Sequence, residues 1–112
     1  MPSKYRAVIT MVDGVILDSK KEAARYQELR LMERAGLISD LELQPEFELI
    51  PAYSTKDGQK VRKIVYRADF RYIDRASRTL IVEDVKGMKT AIYKLKKKIL
   101  LWRYPEIIFK ES

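Results

Sequence analysis

The sequence contains no histidine and no cysteine, one tryptophan, and only four glycines and four prolines. The missing histidine removes Ser-His-Asp and Cys-His triads, histidine-ligated zinc and histidine-based nuclease chemistry together. The missing cysteine removes disulfides and thiolate metal sites. Any catalysis must therefore run on carboxylates, lysine, hydroxyls or a hard cation held by oxygen. No apolar run approaches the roughly 20 residues of a membrane-crossing helix. The opening residues, MPSKYRAVIT, lack the apolar core and small-residue cleavage site of a secretory signal. An intracellular protein with no membrane partner is the expectation.

What the chain does have is charge. Lysine and arginine number 23 against 16 acids, for a net charge of +7 and a pI near 9.6. That balance suits a polyanionic partner, nucleic acid first among them. With 112 residues, 46% of them hydrophobic, the chain supports one core, so residues 1–112 are read as a single domain.

Tyr5 to Leu17 reads as a hairpin around Asp13-Gly14. Ser19, followed three residues later by Glu22, is a capping box, and Gly36 is a stop, which predicts a helix from Ser19 to Ala35. Ala24, Leu31 and Ala35, with Leu29 and Met32, are expected on its inner side. Arg25, Glu28, Arg30, Glu33 and Arg34 are expected in water. A strand follows with period-two apolar residues and an irregularity at Gln44-Pro45. Lys56 to Gln59 is a turn, Lys60 to Asp74 a long strand, and Thr79 to Lys86 its hairpin partner. Thr90 to Tyr104 forms the last helix, with Ile92, Leu95, Ile99 and Trp102 as its core stripe. Lys94, Lys97 and Lys98 lie opposite that stripe, with Lys96 adjoining, and Glu106 to Lys110 is a final strand. The order hairpin-α-β-β-β-α-β predicts an α/β fold, a mixed central sheet flanked by helices.

The chemistry concentrates between Tyr66 and Gly87. A hairpin centred near Ala76-Ser77 sets Asp69 across from Asp84, their Cβ atoms about 5 Å apart. Lys86, two residues past Asp84, shares a face with it. Two carboxylates that close repel unless a cation or a shared proton intervenes. The bland alternative is a salt bridge on a charged sheet surface. Against it, both aspartates sit inside apolar strands, where lone charges are costly. Asp69, Asp84 and the Val85 carbonyl supply the hard oxygen donors that Mg²⁺ prefers, with Mn²⁺ as a substitute. Glu22, besides its capping role, is a further metal-facing carboxylate. Glu83 is set aside because alternation turns it to the opposite face.

These residues carry a resemblance. Tyr66-Arg67-Ala68-Asp69-Phe70 and Val82-Glu83-Asp84-Val85-Lys86-Gly87, in that element order, resemble the PD-(D/E)xK nuclease superfamily. More narrowly, Ser19-Lys20-Lys21-Glu22-Ala23, Leu43-Gln44-Pro45 and Tyr93-Lys94-Leu95-Lys96-Lys97-Lys98 are similar to a family of small phage-encoded proteins, some described as Holliday-junction-resolvase-like. The resemblance implies a restriction-endonuclease-like core and a Mg²⁺-dependent endodeoxyribonuclease that leaves 5′-phosphates. It gives Asp69, Asp84 and Glu22 to the metal and makes Lys86 the catalytic lysine. It also implies branched DNA as substrate, a role in phage recombination or replication, a homodimer, and residence in the cytoplasm of a bacterial host. Ala68 stands where the superfamily motif has proline. Gln44, Lys89, Tyr93, Lys94, Lys96, Lys97 and Lys98 are the expected nucleic-acid contacts, positioning the backbone rather than reading bases. Two alternatives stay open: a non-catalytic nucleic-acid-binding module of the same fold, or a nuclease subunit of restriction or transposase type whose partner chooses the target.

Overall fold

The computed structural model of the protein describes residues 10–12, 15–17, 19–85 and 89–112. Strands β1 (Thr10–Val12) and β2 (Val15–Leu17) pair antiparallel with Val12 across from Val15, the hairpin the spacing predicts. Asp13 and Gly14, where the turn was expected, lie outside the described residues. Helix α1 (Lys20–Arg34) starts at Ser19, whose Oγ accepts the Glu22 N–H at 3.0 Å. It stops where Gly36 turns left-handed at φ 78°, with Leu37 N–H donating to Met32 O and Gly36 N–H to Glu33 O. Glycine adopts that φ without a Cβ penalty, and the two bonds satisfy carbonyls the helix end would strand.

Eight more strands follow: β3 (Ile38–Leu43), β4 (Glu46–Ile50), β5 (Tyr53–Ser54), β6 (Lys60–Val61), β7 (Ile64–Arg67), β8 (Phe70–Asp74), β9 (Thr79–Asp84) and, after helix α2 (Ala91–Arg103), β10 (Ile108–Glu111). The central sheet runs β10-β9-β8-β3, with β10 parallel to β9 and the other pairs antiparallel. It is a mixed sheet in an α/β fold. The expected long strand from Lys60 to Asp74 is not continuous: it breaks into β6, β7 and β8. The reason lies on its partner. Leu43 pairs with Phe70 and Glu46 with Arg67, so one antiparallel ladder crosses from β3–β8 to β4–β7. Between these pairs, Gln44 N–H donates to Asp69 O and Ala68 N–H to Pro45 O. Pro45 has no N–H to return, and Gln44 sits at φ 50°, so the ladder bends there.

The two helices cover opposite faces of the sheet. Ala23, Tyr26 and Leu29 of α1 pack with Ile38, Phe70 and Tyr72. On the other face Tyr93 and Leu100 of α2 pack with Phe47, Leu49, Tyr66, Ala68, Val82 and Ile107. Strand β9 serves both layers, Ile81 toward α1 and Val82 toward α2, as period-two alternation requires.

Both helices are rotated relative to the sequence expectation, although Leu29 and Met32 of α1 and Ile99 of α2 pack inward as expected. On α1, Ala24, Leu31 and Ala35 face out, and Ala23, Tyr26 and Leu29 face in. On α2, Ile92 is 68% and Trp102 81% exposed, and Leu95 is exposed as well. The buried positions are Tyr93 and Leu100. Side-chain tethers set this rotation: Lys96 Nζ donates to Val65 O, Arg103 to Leu49 O and the Tyr104 hydroxyl to Glu48 O. Tyr93 wedges its ring against Tyr66 and Phe109, centroids 6.3 and 6.5 Å away. Aromatic area and satisfied β4 and β7 carbonyls outweigh the aliphatic stripe.

Candidate functional site

The bend in the ladder is where the two aspartates meet. Phe70 pairs with Glu83 and Asp74 with Thr79, so the β8–β9 register sets Asp69 across from Asp84, as the hairpin reading expected. Asp69 stands in the kink just ahead of β8, and Asp84 closes β9. Both side chains accept backbone N–H groups from across the hairpin. Asp84 Oδ1 accepts the Asp69 N–H at 3.0 Å, and Asp69 Oδ2 accepts the Val85 N–H at 2.7 Å. The Asp84 carboxylate is thereby fixed against the Asp69 backbone, and the Asp69 carboxylate against the backbone of Val85. Asp84 is 0% exposed and Asp69 half-buried.

Glu83, one residue earlier, points the other way, as alternation predicts. It is also 0% exposed. Arg25 of α1 grips it with two bonds, Nε to Oε2 at 2.5 Å and a terminal nitrogen to Oε1 at 3.0 Å. The Tyr72 hydroxyl and Ser112 Oγ donate to it as well, at 2.7 and 2.9 Å. Burial pushes this carboxyl up, but the bonds from Arg25, Tyr72 and Ser112 outweigh burial and hold it below the usual range. Arg25 was expected in water; it is instead the buried acid's partner, with its own pKa raised by the Glu83 bond.

The α2 side of the acid pair is different. A groove of about 450 Å³ is lined by Lys89, Tyr93, Lys94, Lys97, Lys98, Leu101 and Glu111. Tyr93 donates its hydroxyl to Glu111. Its phenol is pushed up by burial, then by the Glu111 bond and charge, and then by the charges of Asp84 and Asp69.

The expected site residues can now be located. Asp69, Asp84 and Val85 come together. Gln44 lies at the same bend, directly across from Asp69, and is exposed. Lys89, Tyr93, Lys94, Lys97 and Lys98 share the groove. Lys96 does not: its ammonium is bonded to the β7 backbone. Glu22 is buried on α1, with its N–H in the Ser19 cap. Among the described residues no three carboxylates form a group fit to hold a metal ion, so Glu22 does not join Asp69 and Asp84 in one. Lys86 lies outside the described residues.

Glu111 escaped the sequence reading, which ended the last strand at Lys110. It pairs in register with Asp84 across the parallel β9–β10 ladder. Alternation with Phe109, a core aromatic at the chain's end, is the sequence signal that points to it.

The side-chain oxygens at the bend belong to two carboxylates that accept backbone N–H groups, a hard donor type, and the chain has no imidazole or thiolate to favour a softer metal. Among the described residues no helix is long and apolar enough to cross a membrane. One family model, described as a protein of unknown function (DUF1064), matches residues 2–111. No curated protein and no solved structure matches the chain.

Proposed function

We propose, for a chain that belongs to the DUF1064 family, a metal-dependent endodeoxyribonuclease acting on branched or otherwise structured DNA. The observation that carries this reading is the placement of Asp69 across from Asp84, each carboxylate accepting a backbone N–H, beside a groove lined by four lysines. Two carboxylates brought together inside a sheet favour positive charge beside them, and a hard cation is one source of it. The restriction-endonuclease-like arrangement suggested by sequence resemblance belongs to the same proposal, and it makes the bend between β7 and β8 the site of chemistry.

Asp69, Asp84 and the Val85 carbonyl would hold Mg²⁺, which supplies charge neutralisation and an activated water when bound. The chain's own residues do the rest. Lys89, Lys94, Lys97 and Lys98 attract and seat the phosphate backbone. Lys86, two residues past Asp84, orients the attacking water and offsets charge on the phosphate. Water adds to phosphorus, the bond to the 3′-oxygen breaks, and the leaving oxygen takes up a proton. A 5′-phosphate and a 3′-hydroxyl remain. A chain of 112 residues has little room for a base-reading module, which favours DNA shape over sequence. Two copies would cut two strands symmetrically.

The test compares a four-way junction, a linear duplex and a single strand, each with Mg²⁺, with Mn²⁺ and with chelator. Junction cleavage that needs the metal and falls at least about 100-fold in Asp69→Asn and Asp84→Asn is expected, a loss of the size seen when one transition-state contact is removed. Cleavage that survives Asp84→Asn would sink the assignment. Binding without cleavage in either metal would leave a non-catalytic nucleic-acid-binding module.

A further inference from the structure

The groove beside α2 already holds an anion, and that anion is the protein's own. Three donors converge on the Glu111 carboxylate: Lys89 Nζ at 3.1 Å, Lys97 Nζ at 3.6 Å and the Tyr93 hydroxyl. Lys97 also lies over the Phe109 ring, 4.8 Å from its centroid, so its position is set from two sides. Two ammonium groups and a hydroxyl aimed at one point are the donors a phosphate oxygen takes. An incidental surface ion pair would account for Lys89, which is half exposed. It does not account for Tyr93, a buried phenol turned to the same carboxylate. Nor does it account for Lys94 and Lys98 around a groove whose one acid, among its described lining residues, is Glu111.

We propose that Glu111 is a placeholder. Its carboxylate fills a phosphate subsite built from Lys89, Tyr93 and Lys97, and a backbone phosphate of the nucleic acid displaces it on binding. The subsite rests on the reading of the groove as a nucleic-acid surface and names the group each lysine serves there. Exchanging one anion for another keeps the lysines neutralised in both states, so the free protein does not present an open cluster of cations to every polyanion. Register adds a second consequence. Glu111 stands across from Asp84 on the adjoining strand, about 4.8 Å away in the hydrogen-bonding direction. A phosphate seated at Glu111 therefore brings its neighbouring phosphodiester to the acid pair.

Glu111→Gln tests this, because glutamine keeps the shape, still accepts the Tyr93 hydroxyl and removes only the charge. Binding of a fluorescein-labelled single-stranded oligonucleotide is read by anisotropy in chelator, with inorganic pyrophosphate as competitor. The variant should bind the oligonucleotide about 10-fold tighter, and pyrophosphate should displace it at correspondingly lower concentration. Adding Lys97→Gln should erase the gain. Unchanged or weaker affinity in Glu111→Gln overturns the proposal. A second measurement needs no variant: pyrophosphate added to the ¹³C-labelled wild-type chain should move the Glu111 side-chain carboxyl resonance. A resonance that stays in place at saturation overturns the proposal equally. Both readouts work without metal or cleavage, so an inactive protein that still tightens on Glu111→Gln would defeat the nuclease reading and leave the subsite standing.

Discussion

Glu83 and Asp84 are neighbours on β9, both acidic and both without exposed surface, yet the two faces of the sheet treat them differently. Toward α1, Glu83 meets Arg25, Tyr72 and Ser112 and is held by four hydrogen bonds. That face is a closed electrostatic unit which fixes the helix on the sheet. Toward α2, Asp84 meets the backbone of Asp69, itself an acid, and lies close enough to Tyr93 to raise its phenol. A buried charge with a guanidinium partner is structural, whereas a buried acid pair beside a lysine-lined groove has the makings of a site. What separates the two is what lies across from each: the arginine of α1 on one face, and a second acid beside a lysine-lined groove on the other.

The sharpest way to break the comparison is to take Glu83's partner away. Arg25→Ala leaves a buried carboxylate without its cation and should cost about 3–5 kcal/mol of stability, read by urea unfolding. A loss under about 1 kcal/mol would mean that the α1 face is no more closed than the other. Asp84→Asn should do the reverse. Its amide oxygen still accepts the Asp69 N–H, so the unfolding free energy should move by less than about 1 kcal/mol, even as the proposed cleavage is lost. A destabilisation to match Arg25→Ala would make Asp84 a second structural acid.

Acid titration separates Glu83 with its arginine from Glu83 without it by sign. Glu83 has a folded-state pKa below its unfolded value, so its contribution is complete above the unfolded value of about 4.3. That contribution is lost as pH falls through the lower, folded one. The wild-type melting temperature should therefore hold from about pH 7 to pH 5 as far as this group is concerned and fall below about pH 4. In Arg25→Ala, burial, already the largest influence on Glu83, raises the carboxyl above its unfolded value. Stability of that variant should then increase as pH drops from about 6 toward 4. Matching pH profiles for the two proteins would refute the pairing. Of the changes to Glu83's own partners, Tyr72→Phe is the milder: it removes one donor and should cost about 1–3 kcal/mol, at the lower end because Arg25 and Ser112 remain.

Much of the candidate site was legible from local pattern. The β8–β9 register followed from the hairpin, and with it Asp69 opposite Asp84. Alternation sent Glu83 to the other face, and Ser19, Gly36 and Pro45 marked the helix start, the helix stop and the ladder's bend. Local rules of this kind depend on a residue and its next few neighbours. The rotation of α2 did not follow from them. Ile92, Leu95, Ile99 and Trp102 make a regular helical stripe, but so do Tyr93, Leu100 and Tyr104, and periodicity alone does not rank the two. The ranking came from Phe109 and Tyr66, which receive Tyr93, and from carbonyls of β4 and β7 that receive Arg103, Tyr104 and Lys96.

By itself, then, the amino-acid sequence determined the class of chemistry open to this protein and the pairing of its two aspartates. The first is a matter of which side chains exist, and the second of a hairpin short enough for its turn to set the register. Only the tertiary structure decided what stands beside each buried acid. It brought Arg25 to Glu83 across 58 residues of chain and laid Glu111 beside Asp84 through a parallel pairing that crosses a whole helix. It set Lys94, Lys97 and Lys98 of α2 along a groove and tied Lys96 to the β7 backbone. Contacts between residues distant in sequence depend on how complete elements pack, and no short-range periodicity carries that information.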